Sequence, residues 1–395
     1  MNVQGKIAFY SHDTMGLGHL RRCLKMAAAI TERLGTQDGL ILTGSPWSDL
    51  LKPPAGFRFV SLPPVVKTGP SKYQARDPAM TLADVIERRR DVINRELLGF
   101  APQLLVVDNV PCGLGGEILP TLVALRRLGT RIVLSLRDVL DEHEVIRKEW
   151  QAAGAIPALV GLYDEIWMFG DRDSATYQMI PARLLDRTVI CGHLGGQDPA
   201  AAASGADAAT PVVDAAASPP RILVTGGGGG DAGVLVETFI AALREFRPAV
   251  QARIVLGPEF PPEQVPHGND LAALGVTLVH FEADMARAIR DADVVVSMAG
   301  YNTVCEVLAV GRRMVLVPRV WPRREQWIRA TELARSGRAE VIHPYALNPG
   351  ALWGAVERAL AQPAALPLPQ DGGRRIGQRA VALLPALRAA AAGAA

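Results

Sequence analysis

The chain reads as an α/β protein made of two doubly wound, Rossmann-like parallel-sheet domains. Three observations predict this. Short, solidly apolar runs alternate with stretches of helical periodicity, the pattern of parallel strands buried on both faces. At 395 residues the chain is too long for one ordinary core. A stretch from Leu194 to Pro220, rich in Ala, Gly, Ser and Pro and nearly free of large apolar residues, interrupts the alternation, which then restarts.

In order, Lys6–Ser11 is a strand and the loop to Gly18 carries Gly16 and Gly18. From His19 to Leu34, apolar residues recur at helical spacing: Leu20, Leu24, Ala27, Ala28, Ile30 and Leu34. Further strands are expected at Leu40–Thr43, Phe57–Ser61, Leu104–Val107, Ile132–Ser135 and Ile166–Phe169. Helices over Pro78–Leu98 and Gly115–Leu128 lie between some of them. The second half opens the same way: strand Arg221–Thr225, glycine loop Gly226–Gly230, helix Asp231–Phe246. Strands follow at Arg253–Leu256, Thr277–His280, Val294–Val296, Met314–Val317 and Glu340–Ile342. The expected division is therefore an N-terminal domain over 1–193, a linker over 194–220, a C-terminal domain over 221–370 and a helix and tail over 371–395. The second domain would bind a nucleotide and the first a second substrate, which the resemblance given below makes the acceptor. In doubly wound sheets ligands bind beyond the carboxyl ends of the strands, so two such domains predict a two-substrate cleft.

Composition excludes several classes. A net charge of +2 makes no electrostatic case for nucleic acid. Cys23, Cys112, Cys191 and Cys305 are far apart and form no CxxC, so neither a zinc site nor a disulfide framework is indicated. No apolar run approaches the roughly 20 residues of a membrane span. The opening residues do not read as a signal peptide. A reducing cytoplasm is the plain expectation. No cofactor and no metal are implied: Asp171-Arg172-Asp173 resembles a DxD triplet, but such triplets arise by chance, and Asp171 is a natural helix cap after Gly170.

The densest chemistry lies in Ser297-Met298-Ala299-Gly300-Tyr301-Asn302-Thr303-Val304-Cys305-Glu306. A strand, a glycine turn and a helix start form an anion site, because helix N–H groups and the helix dipole point at the ligand. A carboxylate one turn further in suits the two hydroxyls of a ribose. In the first half, His19 follows Gly18 at a helix start and is a candidate general base, with Asp108 at another strand end as its orienting carboxylate. Arg21, Arg22, Arg323 and Arg324 read as partly solvated helix faces. Arg21 and Arg22 are also candidates for touching an acceptor carboxylate or phosphate.

These motifs carry a resemblance. His280-Phe281-Glu282-Ala283-Asp284-Met285-Ala286, Asp291-Ala292-Asp293, Ser297 to Glu306, Val317-Pro318 and Arg324-Glu325-Gln326-Trp327 are similar to the donor half of MurG-type, family 28 glycosyltransferases of the two-domain GT-B class. Gly16-Leu17-Gly18-His19 resembles the matching loop of their first half. The resemblance implies a UDP-sugar donor and an acceptor hydroxyl, single-displacement inversion and no metal. The acceptor would be lipid-linked, a polysaccharide or a small molecule. It implies that Glu306 holds the ribose, Gln326 the sugar, Gly300 and Thr303 the diphosphate, and Phe281 to Met285 the base. Gly226, Gly227 and Gly228 would let backbone approach the phosphates. Met298 and Ala299 stand where MurG has Arg and Ser, and Arg329 where it has Asn. Trp47, Trp321, Pro53-Pro54 and Pro63-Pro64 are candidates for a pocket wall or for peripheral contact with the inner membrane face. Gly16 to Leu24 also resembles the opening of the UDP-sugar hydrolase of pseudaminic acid synthesis, in which His19 would activate water. A non-catalytic nucleotide-sugar sensor and a nucleotide-sugar 2-epimerase are further readings.

Overall fold

The computed structural model describes residues 5–12, 16–69, 72–195, 218–268 and 270–384. Most of the expected linker (196–217), the tail from 385 and the first four residues lie outside the described residues. The chain divides into two compact units, Met1–Leu194 with Asp371–Ala395, and Gly195–Gln370.

In the first unit, β1 (Lys6–Ser11), β2 (Asp38–Thr43), β3 (Phe57–Ser61), β4 (Val65–Gly69), β5 (Lys72–Ala75), β6 (Leu104–Asp108), β7 (Arg131–Arg137), β8 (Glu165–Phe169) and β9 (Thr188–Ile190) alternate with helices. The helices are α1 (Gly18–Leu34), α2 (Leu82–Phe100), α3 (Leu119–Arg127), α4 (His143–Ala152), α5 (Ala155–Leu162) and α6 (Ala175–Met179). Among the described residues, seven strands form one sheet in the order β3-β2-β1-β6-β7-β8-β9, and every pairing in it is parallel. Strands β1, β6 and β7 are buried throughout their middles, and apolar there apart from Ser135 of β7, because helices cover both faces. The sheet order reverses between β1 and β6, the point beyond whose carboxyl ends doubly wound sheets bind ligands.

Helix α1 buries Leu20, Cys23, Met26, Ala27 and Ile30 on one face. Helix α2 starts at Leu82 rather than Pro78, because Thr81 and Asp84 form a capping box. Helix α3 starts later than its periodicity suggests, since Gly115 and Gly116 take φ of 57° and 81°. The β4–β5 hairpin and the short β9 are additions to the expected elements.

In the second unit, β10 (Arg221–Thr225), β11 (Gln251–Val255), β12 (Val276–Val279), β13 (Val294–Ser297), β14 (Arg313–Leu316) and β15 (Glu340–Val341) form a parallel sheet ordered β12-β11-β10-β13-β14-β15. Helices α7 (Gly233–Phe246), α8 (Met285–Asp291), α9 (Tyr301–Val310), α10 (Glu325–Arg335) and α11 (Pro349–Ala361) accompany it. Its reversal lies between β10 and β13. Finally α12 (Gly372–Leu383) belongs to the first unit. There Gly377 comes so close to α1 that a Cβ would stand 2.8 Å from Arg33 Cβ. Glu165 of β8 pairs with Arg379 of α12.

Candidate functional site

The first site is built at the reversal between β1 and β6. Gly16 takes a φ of 71°, a value open to glycine, and its carbonyl accepts a bond from Ser45 Oγ at 3.2 Å. Gly18 then starts α1. His19 and Arg22, three residues apart, share a side of the helix. Both reach Asp108, the last residue of β6. His19 Nδ1 lies 2.5 Å from Asp108 Oδ2. Arg22 donates from Nε to Oδ1 at 2.8 Å and from Nη2 to Oδ2 at 2.6 Å. Ser135, opposite Asp108 in the β6–β7 register, donates its hydroxyl to Oδ1 at 2.8 Å.

Asp108 is wholly buried and Arg22 is 1% exposed. Arg22 is therefore not a solvated helix face but the counter-ion of Asp108. Burial pushes the Asp108 carboxyl up, but the Arg22 charge, His19 and the hydrogen bonds from both outweigh it and hold the group well below the ordinary carboxylate range. An ionised carboxylate only accepts, so the close contact places a proton on His19 Nδ1. In the neutral ring the lone pair is then on Nε2. The His19 side chain is 19% exposed, whereas Asp108 and Arg22 are sealed.

A second buried cluster supports this floor. Arg89 of α2 makes two bonds to Glu117, 2.7 Å from Nε to Oε2 and 2.8 Å from Nη2 to Oε1. Tyr10 of β1 donates its hydroxyl to Glu117 at 2.5 Å. Arg89 also donates to the Pro63 carbonyl at 2.9 Å, which gives the Pro63-Pro64 stretch a structural anchor. These bonds fix the turn that follows β6.

The second site lies at the reversal between β10 and β13. Its glycine loop is shaped partly by packing. A Cβ on Gly226 would stand 2.1 Å from Ala232 Cβ, and one on Gly229 would stand 2.3 Å from the Leu256 carbonyl oxygen. Gly227 takes a φ of 72° and donates its N–H to Thr225 Oγ1 at 3.2 Å. The Gly228 carbonyl accepts from Glu259 N at 2.9 Å.

After β13 the chain turns through Ala299, at a φ of 60°, into α9. Ala299 is wholly buried, and its carbonyl accepts from Arg329 Nη1 at 3.0 Å. Arg329 is itself 2% exposed and lies over the Tyr301 ring. So the Arg at the departure from the family pattern braces the neighbouring departure, Ala299. Gly300 is the N-cap of α9, with no side-chain cap bond. First-turn N–H groups have no carbonyl within a helix to bond. Thr303 stands in that first turn, half-buried. Glu306, one turn further, is buried.

Gln326 Oε1 accepts from Arg319 N at 2.8 Å, which fixes the side-chain amide and turns its N–H donors away from that contact. Arg319 also reaches Glu325 at 2.7 Å and Asp231 at 3.1 Å, joining the loop after β14 to the end of the glycine loop. Burial lowers the Arg319 value, but these two carboxylates raise it further. Phe281 is half-buried in the loop after β12. Met285 opens α8 inside the core with Leu223, Val255 and Ile289. Of the two, Phe281 has the side chain with surface to offer a base.

The acidic triplets have local explanations. Asp171 Oδ1 accepts from Asp173 N at 3.0 Å, and Asp293 Oδ2 from Arg221 N at 2.8 Å. Trp321 is 67% exposed, whereas Trp47 is half-buried. No helix among the described residues is long and apolar enough to cross a membrane.

Residues 221–371 match the glycosyltransferase family 28 C-terminal domain. The chain is 35% identical over 94 residues to the UDP-N-acetylglucosamine–N-acetylmuramyl-(pentapeptide) pyrophosphoryl-undecaprenol N-acetylglucosamine transferase of Actinobacillus pleuropneumoniae, 24% of this chain and 25% of the relative. It is 38% identical over 86 residues to the same transferase of Agrobacterium fabrum, 21% of this chain and 22% of the relative. The matches thus span about a quarter of the relatives' length. Among solved structures, the glycotransferase of kitacinnamycin aligns with a TM-score of 0.61 at 17% identity, covering 98% of each chain. Acinetobacter baumannii MurG aligns at 0.55 and 17%, covering 97% of this chain and 99% of that one. At such identity the structures speak for the fold, which is GT-B.

Proposed function

We propose that this chain, MurG-like and built on the GT-B fold, is a glycosyltransferase that moves a sugar from a UDP-sugar to an acceptor hydroxyl, with inversion and without a metal ion. The observation that carries the reading is His19 Nδ1 held on Asp108, which leaves Nε2 to take a proton. The acceptor O–H bond breaks toward Nε2 as its oxygen bonds to the anomeric carbon. The bond from that carbon to the diphosphate oxygen breaks on the opposite face. Asp108 and Arg22 stay as they are, and the carboxylate steadies the imidazolium.

The departing diphosphate carries negative charge to the start of α9, where Gly300 and Thr303 offer backbone and hydroxyl donors beside Gly226–Gly228. Glu306 accepts from the ribose hydroxyls, Gln326 bonds the sugar and Phe281 covers the base. UDP is the nucleotide in the relatives' name, which supports it as donor here. The same name carries a lipid-linked pyrophosphoryl acceptor. If that class applies here too, the first unit works at a membrane surface.

The test is a panel of UDP-sugars with and without cell-extract acceptors, in EDTA. UDP release that requires an acceptor and yields a glycoside is expected, with His19→Ala slower by about 10²–10⁴-fold. Free sugar appearing stoichiometrically with UDP in water alone would instead make the chain a hydrolase. Activity lost to EDTA and restored by manganese or magnesium would overturn the metal-free mechanism.

A further inference from the structure

We propose that His12 and Asn109 form a hydroxyl-binding pair for the sugar ring of the acceptor, gripping the hydroxyl next to the one His19 deprotonates; this rests on the transferase reading. Strands β1 and β6 are parallel neighbours with Tyr10 opposite Val107. Two positions further along each, His12 and Asn109 stand at corresponding places just past the paired ends, beside the first site. His12 is 7% exposed, and its Nδ1 has no hydrogen-bond partner among the described residues. Asn109 Oδ1 is likewise buried without a partner. Beside them every oxygen of Asp108 is satisfied, so the fold is not careless with polar atoms here.

A buried polar group left unpaired carries the full cost of its lost hydration. Two of them, just past the ends of neighbouring strands and close to the candidate base, imply a ligand that supplies the missing bonds. Asn109 holds a φ of 66°, a left-handed conformation in which Asn is the best tolerated of residues with a Cβ after glycine. Its backbone N–H donates to the Ser135 carbonyl at 2.8 Å, which fixes where the side chain starts.

The chemistry of the pair selects the ligand. Asn109 Oδ1 only accepts, so the group that meets it must donate, which carboxylate and phosphate oxygens do not. The groups facing His12 are His19, Arg89, Asp108 and Lys67. Burial, then His19, Arg89 and Lys67, outweigh Asp108 and bring His12 down to about 3, so the ring is neutral near pH 7. A hydroxyl serves both atoms, donating to Asn109 Oδ1 and accepting from His12. The His12 ring stands edge-on to His19 with centroids 6.0 Å apart, so a hydroxyl held there belongs to the carbon beside the reacting one.

The probes are methyl hexopyranosides and their monodeoxy forms, given to the full chain with a UDP-sugar. At least one intact glycoside should accept sugar and shift the His12 ring signal in isotope-labelled histidine spectra. Loss of the neighbouring hydroxyl should raise KM about tenfold or more. His12→Phe and Asn109→Gly should each raise KM for the intact glycoside about tenfold and erase its advantage over the deoxy form. The pair is overturned if no glycoside reacts or shifts the signal, or if the variants keep the preference. The ring signal and the deoxy comparison are read on the parent chain, so they decide even where a variant does not fold. UDP-dependent thermal stabilisation, measured in parallel, separates the two failures. Its absence counts against the transferase reading, and its presence without a hydroxyl response counts against the pair alone.

Discussion

His19 Nδ1 lies 2.5 Å from Asp108 Oδ2, and Arg22 holds the same carboxylate through two bonds of its own. The imidazole is thus aimed by a group that is itself locked. A carboxylate held by His19 alone would be a buried charge with one adjustable neighbour. Here the guanidinium fork and the Ser135 hydroxyl fix both oxygens before any substrate arrives. That permits the ring to be positioned without its proton ever leaving Nδ1.

Asp108→Asn tests this aim. An amide presents N–H where the carboxylate only accepted, so it stabilises the wrong tautomer of His19 or swings away from Arg22. We expect kcat to fall about 10²-fold or more while UDP affinity stays near that of the parent. A variant with unchanged kcat would remove Asp108 from the mechanism.

Arg22→Met tests the lock and has a pH signature. In the parent the Asp108 value is depressed, so its stabilising contribution is present above the unfolded value of about 3.9 and fades as pH falls through the folded value. Without Arg22, burial loses its chief opponent and the carboxyl value rises. The variant therefore loses stability as pH rises past about 4. Urea unfolding should show a deficit of about 3–5 kcal/mol near pH 7 that shrinks toward pH 4. A deficit independent of pH would mean that packing, not charge, is what Arg22 supplies.

The strands of both sheets, the short half-buried β9 apart, are visible in the sequence because parallel strands covered on two faces need apolar residues at nearly every position. The β4–β5 hairpin is not, since Val66, Lys67 and Gln74 face partly outward and leave no solid run. The His19, Asp108 and Gly300 positions stand out because Asp108 ends a strand and the other two lie where glycine turns open into helices. Arg22 is misread because a basic pair on a helix usually faces water. The available signal is that Arg22 lies four residues before buried Met26, on the inward side of α1. The pairing of His12 with Asn109 depends on β1 lying beside β6, which no local pattern encodes.

Glu306→Ala tests the donor site without needing an acceptor. A ligand bound only by the folded state raises the melting temperature in proportion to RT ln(1 + [L]/Kd). Loss of a charge-assisted pair of bonds to the ribose, about 1.5–3 kcal/mol, should remove most of the shift that UDP gives the parent. An undiminished UDP shift in the variant would displace the ribose role from Glu306.

Two glycine substitutions separate what the fold needs from what a ligand needs. Gly226 is required by packing, since a Cβ would collide with Ala232 at 2.1 Å. Gly226→Ala should therefore lower stability, in the range of about 1–3 kcal/mol seen for overpacking. Gly300 is different. Its φ is −63°, and a Cβ there would meet no atom within 4 Å. Neither backbone strain nor packing asks for glycine, so Gly300→Ala should leave the melting temperature within a degree or two of the parent or raise it slightly. If the diphosphate rests against the start of α9, the added methyl group occupies the space where the phosphate oxygens approach the N–H groups. UDP binding measured by calorimetry should then weaken about tenfold or more in a protein as stable as the parent. Equal UDP affinity in Gly300→Ala would move the diphosphate away from this helix.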